Sequence, residues 1–187
     1  MRRTVSAIVL GLISMCATAS PGQRLAGSFT AMDASGKPLV VADGSGDVVL
    51  VEFLFTTCSH CQATARLLNR LQKELGPRGL RTIGVAFNDE AEGHPEELRR
   101  FVQLNGLDFP VGVAPRDAVI RYLGISVLSR FAVPQILVID RNGTVRAKSD
   151  VMGSEDLVDE SKLRTLVDSL LREPKAAPAS HRLSSRR

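Results

Sequence analysis

Cys58 and Cys61 stand three residues apart and enclose Ser59 and His60. They follow the apolar run Val48–Phe55 (VVLVEFLF) and open a segment whose apolar positions repeat with helical spacing. That places both thiols where a buried strand gives way to a helix. A helix start offers unpaired backbone N–H groups and the positive end of the helix dipole, so a thiolate at Cys58 is stabilised there. Cys61 lies one turn further on, close enough for the two sulfurs to bond. Cys58 could then attack a disulfide in another protein, and Cys61 could resolve the mixed disulfide by attacking Cys58. Two plainer readings compete. A C-x-x-C can be half of a zinc site, which needs four ligands, or a structural disulfide, whose four-residue loop gives only modest stabilisation.

Three neighbours bear on that chemistry. His60 precedes the second cysteine and can donate to a thiolate at Cys58 or carry positive charge beside it. Either effect stabilises the dithiol state and makes the disulfide more oxidising; the alternative is an exposed histidine with little influence. Glu52 interrupts the apolar strand six residues before Cys58. Strand alternation puts it on the face of Leu54 and Thr56, beneath the helix. A carboxyl buried there has a raised pKa and can pass a proton to or from Cys61; the alternative is a partly solvated acid at a sheet edge. Val133-Pro134 precedes the apolar segment Gln135–Asp140. A cis bond would turn the chain sharply and leave the Val133 backbone free for an incoming peptide, whereas a trans proline where a strand begins is the commoner local arrangement.

These residues need elements to hold them. Val48–Phe55 reads as a central strand buried on both faces. Cys61–Leu75 carries Ala65, Leu67, Leu68, Leu71 and Leu75 on one helical stripe and stops at Gly76-Pro77-Arg78-Gly79. Leu80–Phe87 is a second strand, which makes a βαβ unit with parallel strands. A helix from Pro95 to Asn105 closed by Gly106, a strand Phe109–Val113, and a short helix Arg116–Leu123 follow. Gln135–Asp140 and Thr144–Lys148 form a hairpin across Arg141-Asn142-Gly143, and Leu163, Leu166, Val167, Leu170 and Leu171 mark a last amphipathic helix. Phe29–Ala31 and Pro38–Val41 flank Ser35-Gly36 as an N-terminal hairpin. The sum is an α/β sandwich with a mixed sheet.

The 187 residues are 44% apolar and 24% charged, enough for one domain with tails. Charge is too balanced for global disorder, and three cysteines are too few for a disulfide-stapled scaffold. Met1-Arg2-Arg3, the apolar Thr4–Cys16 and Ala17-Thr18-Ala19 have the basic–apolar–small order of a secretory signal peptide over residues 1–19. A buried N-terminal helix is the competing reading, and a lipoprotein anchor at Cys16 fits poorly because Met15 precedes it. From Ser20 onward the chain holds 22 basic and 20 acidic residues, with the folded body 20–172 near neutrality and the excess in the tail 173–187. That tail is read as disordered and basic. A body without a basic face argues against nucleic-acid binding.

Taken together, the chain resembles the thioredoxin-like superfamily, and within it the exported TlpA/ResA-type thiol-disulfide oxidoreductases near the redoxin and AhpC/TSA groups. The carriers are Gly36-Lys37-Pro38, Val48–Cys61, Phe101–Val111, Tyr122–Ile125, Val133-Pro134 and Ile139–Gly143. The resemblance implies a three-layer sandwich with an N-terminal hairpin and an inserted helix-strand element around Pro95–Val113. It implies a nucleophile at Cys58, a resolving thiol at Cys61, a buried proton-transfer acid at Glu52 and a cis proline at Pro134. His60 and Val133 match the pattern of DsbA-like oxidants, while Thr57 and Ser59 stand where the TlpA/ResA type usually carries tryptophan and proline.

The expected function is exported, periplasmic or extracytoplasmic exchange of electrons with protein dithiols and disulfides, with a redox partner protein. It needs no metal and no organic cofactor. The chain is expected to act as a monomer, with membrane contact only through an uncleaved signal segment. Two other classes remain: a thiol peroxidase, and a binding module braced by its disulfide. Val51 and Phe55 break the Pro-x-x-x-Thr-x-x-Cys pattern that peroxiredoxins resemble.

Overall fold

The computed structural model describes residues 25–42 and 45–174. The expected signal peptide over residues 1–19 and the expected tail from residue 175 onward lie outside the described residues.

Among the described residues seven strands form one sheet: β1 (Thr30–Asp33), β2 (Pro38–Val40), β3 (Val48–Leu54), β4 (Leu80–Ala86), β5 (Val111–Val113), β6 (Gln135–Ile139) and β7 (Val145–Lys148). The helices are α1 (Ser59–Leu75), α2 (Pro95–Asn105), α3 (Arg116–Leu123), α4 (Glu155–Val158) and α5 (Glu160–Arg172). Strand order is β2-β1-β5-β4-β3-β6-β7. β3 runs parallel to β4, and β4 to β5; every other pairing is antiparallel.

β3 lies inside the sheet because its sequence is apolar on both faces, and every residue in it is buried. Val48, Leu50 and Leu54 pack with Leu68 and Leu71 of α1, Phe101 of α2, and Leu163 and Val167 of α5. Val49, Val51 and Phe53 face the other way, against Val119 and Leu123 of α3 and against Phe29. The sheet is therefore a middle layer with α1, α2 and α5 on one side and α3 on the other, a three-layer α/β sandwich. Burying one leucine from such a core is worth about 1.5–3 kcal/mol, so the stripe on α1 holds that helix against β3.

α1 buries Cys61, Thr64, Ala65, Leu68, Leu71 and Leu75, the i, i+3, i+4, i+7 spacing of one face. It ends where Pro77 removes a backbone donor. A single 3₁₀ turn, Gly76–Arg78, follows and closes on Gly79, whose φ of 100° is a left-handed conformation that suits glycine. Gly79 then passes its carbonyl to the Val48 N–H at 2.9 Å, so the end of α1 is tied to the first residue of β3.

Several bounds differ from those expected. α1 begins at Ser59 rather than Cys61, because Cys58 serves as the cap. β5 begins at Val111, since Pro110 has no N–H to give; its carbonyl instead accepts from Gly84 at 3.0 Å. α4 was not anticipated: four residues are too few for a helical period to show. The N-terminal hairpin β1–β2 is present and joins the sheet through β5, where Met32 pairs with Val113.

Candidate active site

The parallel strands β3 and β4 end side by side, and the site forms beyond their carboxyl ends. Cys58 leaves the Phe55–Cys58 turn, in which the Cys58 N–H donates to the Phe55 carbonyl at 3.1 Å. Its backbone is extended (φ −83°, ψ 120°), the usual conformation of an N-cap. An N-cap side chain normally offers oxygen to the third helical N–H; here Sγ of Cys58 accepts from the Cys61 N–H at 3.4 Å. Cys58 is half-buried and Cys61 is fully buried, both as free thiols.

Burial pushes the Cys61 thiol far above its ordinary range. The hydrogen bond with the Cys58 side chain and the charges of Glu52 and Cys58 act in the same direction, and a backbone hydrogen bond at Phe55 partly offsets them. Glu52 pairs across β3 with Ile136 of β6 and Gly84 of β4, so it sits inside the sheet and not at an edge. It is 0% exposed, and neither carboxyl oxygen has a hydrogen-bond partner. Burial raises its pKa well above the carboxylate range, and the Cys58 sulfur adds to the shift. Glu52 is buried as expected, and the alternative of a partly solvated acid at a sheet edge does not hold. A neutral carboxyl is the form such a site tolerates, since an unpaired buried charge is far more costly.

The Val133–Pro134 peptide bond is cis. Pro134 and Val133 line a groove of about 640 Å³ beside the start of α1, with His60 and Leu67 on the helix side and Met152 and Val158 opposite. His60 is exposed on the rim of this groove. The structure thus gathers Cys58, Cys61, Glu52, His60, Val133 and Pro134 around the end of β3.

Sequence reasoning missed several groups that shape the site. Gln135 is buried, and its amide donates to the carbonyls of Ala132 (2.8 Å), Asp150 (3.0 Å) and Val151 (3.2 Å), fixing the loop that carries Pro134. A glutamine opening an otherwise apolar strand was the available signal. In the turn that leads to Cys58, Phe55 meets Phe87 with ring centroids 4.7 Å apart, and the Arg116 guanidinium lies over Phe55 at 5.6 Å and Phe131 at 5.1 Å. Nothing in local sequence links those four residues. Among the described residues no group of three or more His, Cys, Asp or Glu could hold a metal ion.

The chain is 27% identical over 118 residues to the thiol-disulfide oxidoreductase ResA of Bacillus thuringiensis (strain Al Hakam), a match covering 63% of each chain. It is 27% identical over 125 residues to the thioredoxin-like protein YneN of Bacillus subtilis, covering 67% of this chain and 68% of that one. The chain thus spans less than two thirds of the length of the ResA relative. A crystal structure of a thiol:disulfide interchange protein of the thioredoxin family from Chlorobium tepidum superposes with a TM-score of 0.65 at 24% identity, covering 82% of this chain and 99% of that one. The fold is thioredoxin-like. A sequence model of the AhpC/TSA family matches residues 22–148, from ahead of β1 to the end of β7 and across the whole Cys58–Cys61 region. On that match, this chain belongs to the AhpC/TSA family.

Proposed function

We propose that the protein is a thiol-disulfide oxidoreductase that exchanges electrons with protein dithiols and disulfides. The observation that carries the reading is the capped sulfur of Cys58, half-buried and aimed at the Cys61 N–H, with the Cys61 thiol sealed one turn behind it. A hydrogen bond from a backbone N–H favours a sulfur anion, and the helix dipole adds to it. The similarity to ResA and to the thiol:disulfide interchange protein supports the same class.

In the reducing direction the Cys58 thiolate attacks one sulfur of a partner disulfide. A new S–S bond forms, the partner S–S bond breaks, and the departing partner thiolate takes a proton. Cys61 then loses its proton and attacks Sγ of Cys58. The Cys58–Cys61 bond forms, the mixed disulfide breaks, and the second partner thiol leaves. Two electrons pass to the partner, and the Cys58–Cys61 pair is oxidised. The reverse sequence oxidises a partner dithiol. Because burial holds the Cys61 proton tightly, that second step needs a base; we assign Glu52, which in its ionised form takes the proton, becomes the neutral carboxyl that its burial favours, and then gives the proton up to solvent. His60 tunes the sulfur from the groove rim, and Val133 and Pro134 receive the partner polypeptide. No metal or organic cofactor takes part in these steps.

The compartment follows from the N-terminal order of basic, apolar and small residues: an exported, extracytoplasmic protein in which the pair can be held oxidised. Partners are protein dithiols or disulfides and a redox protein that resets the pair. Insulin reduction with dithiothreitol as electron source tests the reading. Wild type should speed insulin precipitation and Cys58→Ser should abolish the effect; retained activity in Cys58→Ser rules out Cys58 as the attacking thiol.

A further inference from the structure

Thr56 is the first central residue of the Phe55–Cys58 turn, and it is buried. Three of its polar groups are held from outside the turn. Its N–H donates to Oδ1 of Asn88 at 3.1 Å, its hydroxyl accepts from Nδ2 of Asn88 at 3.0 Å, and its carbonyl accepts from Nε2 of Gln62 at 3.1 Å. Asn88 stands two residues beyond β4 and is 4% exposed. Its Nδ2 also donates to Glu90 at 2.7 Å, so one acceptor and both donors of the amide are engaged. Phe87 meanwhile donates to the Leu54 carbonyl at 3.2 Å, which carries the β3–β4 pairing up to the turn.

This arrangement ties the turn before Cys58 to β4 and not to α1 alone. Without the Asn88 amide, the Thr56 N–H and hydroxyl would be buried with no partner, which is costly and favours a different turn. A change of turn rotates the Cys58 backbone, and its sulfur then leaves the Cys61 N–H.

We propose that Asn88 is a positioning residue for thiol exchange: through Thr56 it fixes the turn that carries Cys58 and so holds Sγ of Cys58 on the Cys61 N–H. The inference rests on the reading of Cys58 as the attacking thiol. Loss of the tie removes a hydrogen bond that favours the sulfur anion. Cys58 then reacts more slowly at neutral pH. The dithiol state also loses stability relative to the disulfide, so the pair becomes less oxidising.

The test uses the reduced full chain. Peptide mass spectrometry reads the rate of Cys58 alkylation by iodoacetamide at neutral pH, and glutathione buffers read the dithiol–disulfide equilibrium. Asn88→Ala should slow alkylation about tenfold and move the equilibrium toward disulfide by a similar factor, a change of the size that loss of one charge-assisted hydrogen bond gives. Thr56→Val keeps the backbone bond to Oδ1 but loses the hydroxyl, and should shift both readouts about threefold in the same direction, half of that effect on a logarithmic scale. Thr56→Ser keeps the hydroxyl and should restore both to near wild type. A purely structural Asn88 predicts a lower melting temperature with both sulfur readouts unchanged, and that result overturns the proposal. If Asn88→Ala does not fold, Thr56→Val decides on the same criterion. A wild-type protein whose Cys58 and Cys61 do not cycle at all overturns the functional reading itself, whatever the variants do.

Discussion

The sulfur of Cys58 accepts a hydrogen bond from the backbone N–H of Cys61 at 3.4 Å, so the first thiol caps the helix that buries the second. One contact joins the local fold to the chemistry. The N–H that would otherwise be unsatisfied at a helix start is satisfied by a group whose charged form it favours. The two thiols differ in setting as a result, Cys58 toward solvent and Cys61 sealed beneath it.

Glu52→Gln separates proton transfer from nucleophilic attack. The variant keeps shape and hydrogen-bonding size but cannot carry a proton. Insulin reduction should fall about a hundredfold or more, from the lower end of general acid–base effects upward, while alkylation of Cys58 in the reduced protein should change little. Equal losses in both would place Glu52 in the support of Cys58 and not in proton transfer.

The same substitution should change how stability depends on pH. Burial raises the Glu52 pKa in the folded state, so the folded protein holds that proton more tightly than the unfolded chain. Stability from this group is therefore full below the unfolded value of about 4.3, falls as pH rises toward the folded value, and levels off above it. Glu52→Gln removes that fall. Its melting temperature should match wild type near pH 4 and exceed it at neutral pH, at about 2–4 °C for each kcal/mol regained in a domain of this size. A constant offset at all pH values would contradict a raised pKa.

Much of this site could be read from residue order. Cys58 and Cys61 at a strand-to-helix junction, and Glu52 within an apolar strand, are patterns of one segment, and period and composition located them. Pro134 was visible as a residue, but its place beside the start of α1 depends on β6 pairing antiparallel to β3, a long-range choice that no local period encodes. The groove wall from Met152 to Val158 was not legible, because it belongs to a loop and a four-residue helix. Asn88 and Gln135 work through single side-chain amides reaching across the fold, and such contacts leave no mark in local sequence.

Met152 projects from the far wall of the groove and is 71% exposed, so its apolar surface is available to a partner. Met152→Asp should raise KM for protein substrates severalfold, since burying an unpaired carboxylate against an apolar partner is unfavourable. Exchange with glutathione, which has no apolar side chain to lay against Met152, should stay unchanged. Steady-state kinetics with both substrates checks this, and an equal loss for both would mean that the groove does not select polypeptides.

A peroxidase reading makes a different demand on position 55. Phe55 there is an aromatic ring packed on Phe87, with no hydroxyl to offer a peroxide. Reduced protein should therefore consume hydrogen peroxide no faster than an ordinary protein thiol. A stopped-flow trace with a rate orders of magnitude above that of free cysteine would reverse the assignment.

The central claim is that Cys58 and Cys61 interconvert between dithiol and disulfide as one unit. Equilibration in a series of glutathione buffers, followed by acid quench and mass measurement after alkylation, tests it most directly. The account predicts a single two-electron transition in which both thiols disappear together at a potential the buffers can reach, abolished in Cys61→Ser, where only a glutathione adduct at Cys58 remains. Two cysteines that stay alkylatable in the most oxidising buffer, or a bond that survives the most reducing one, would contradict it.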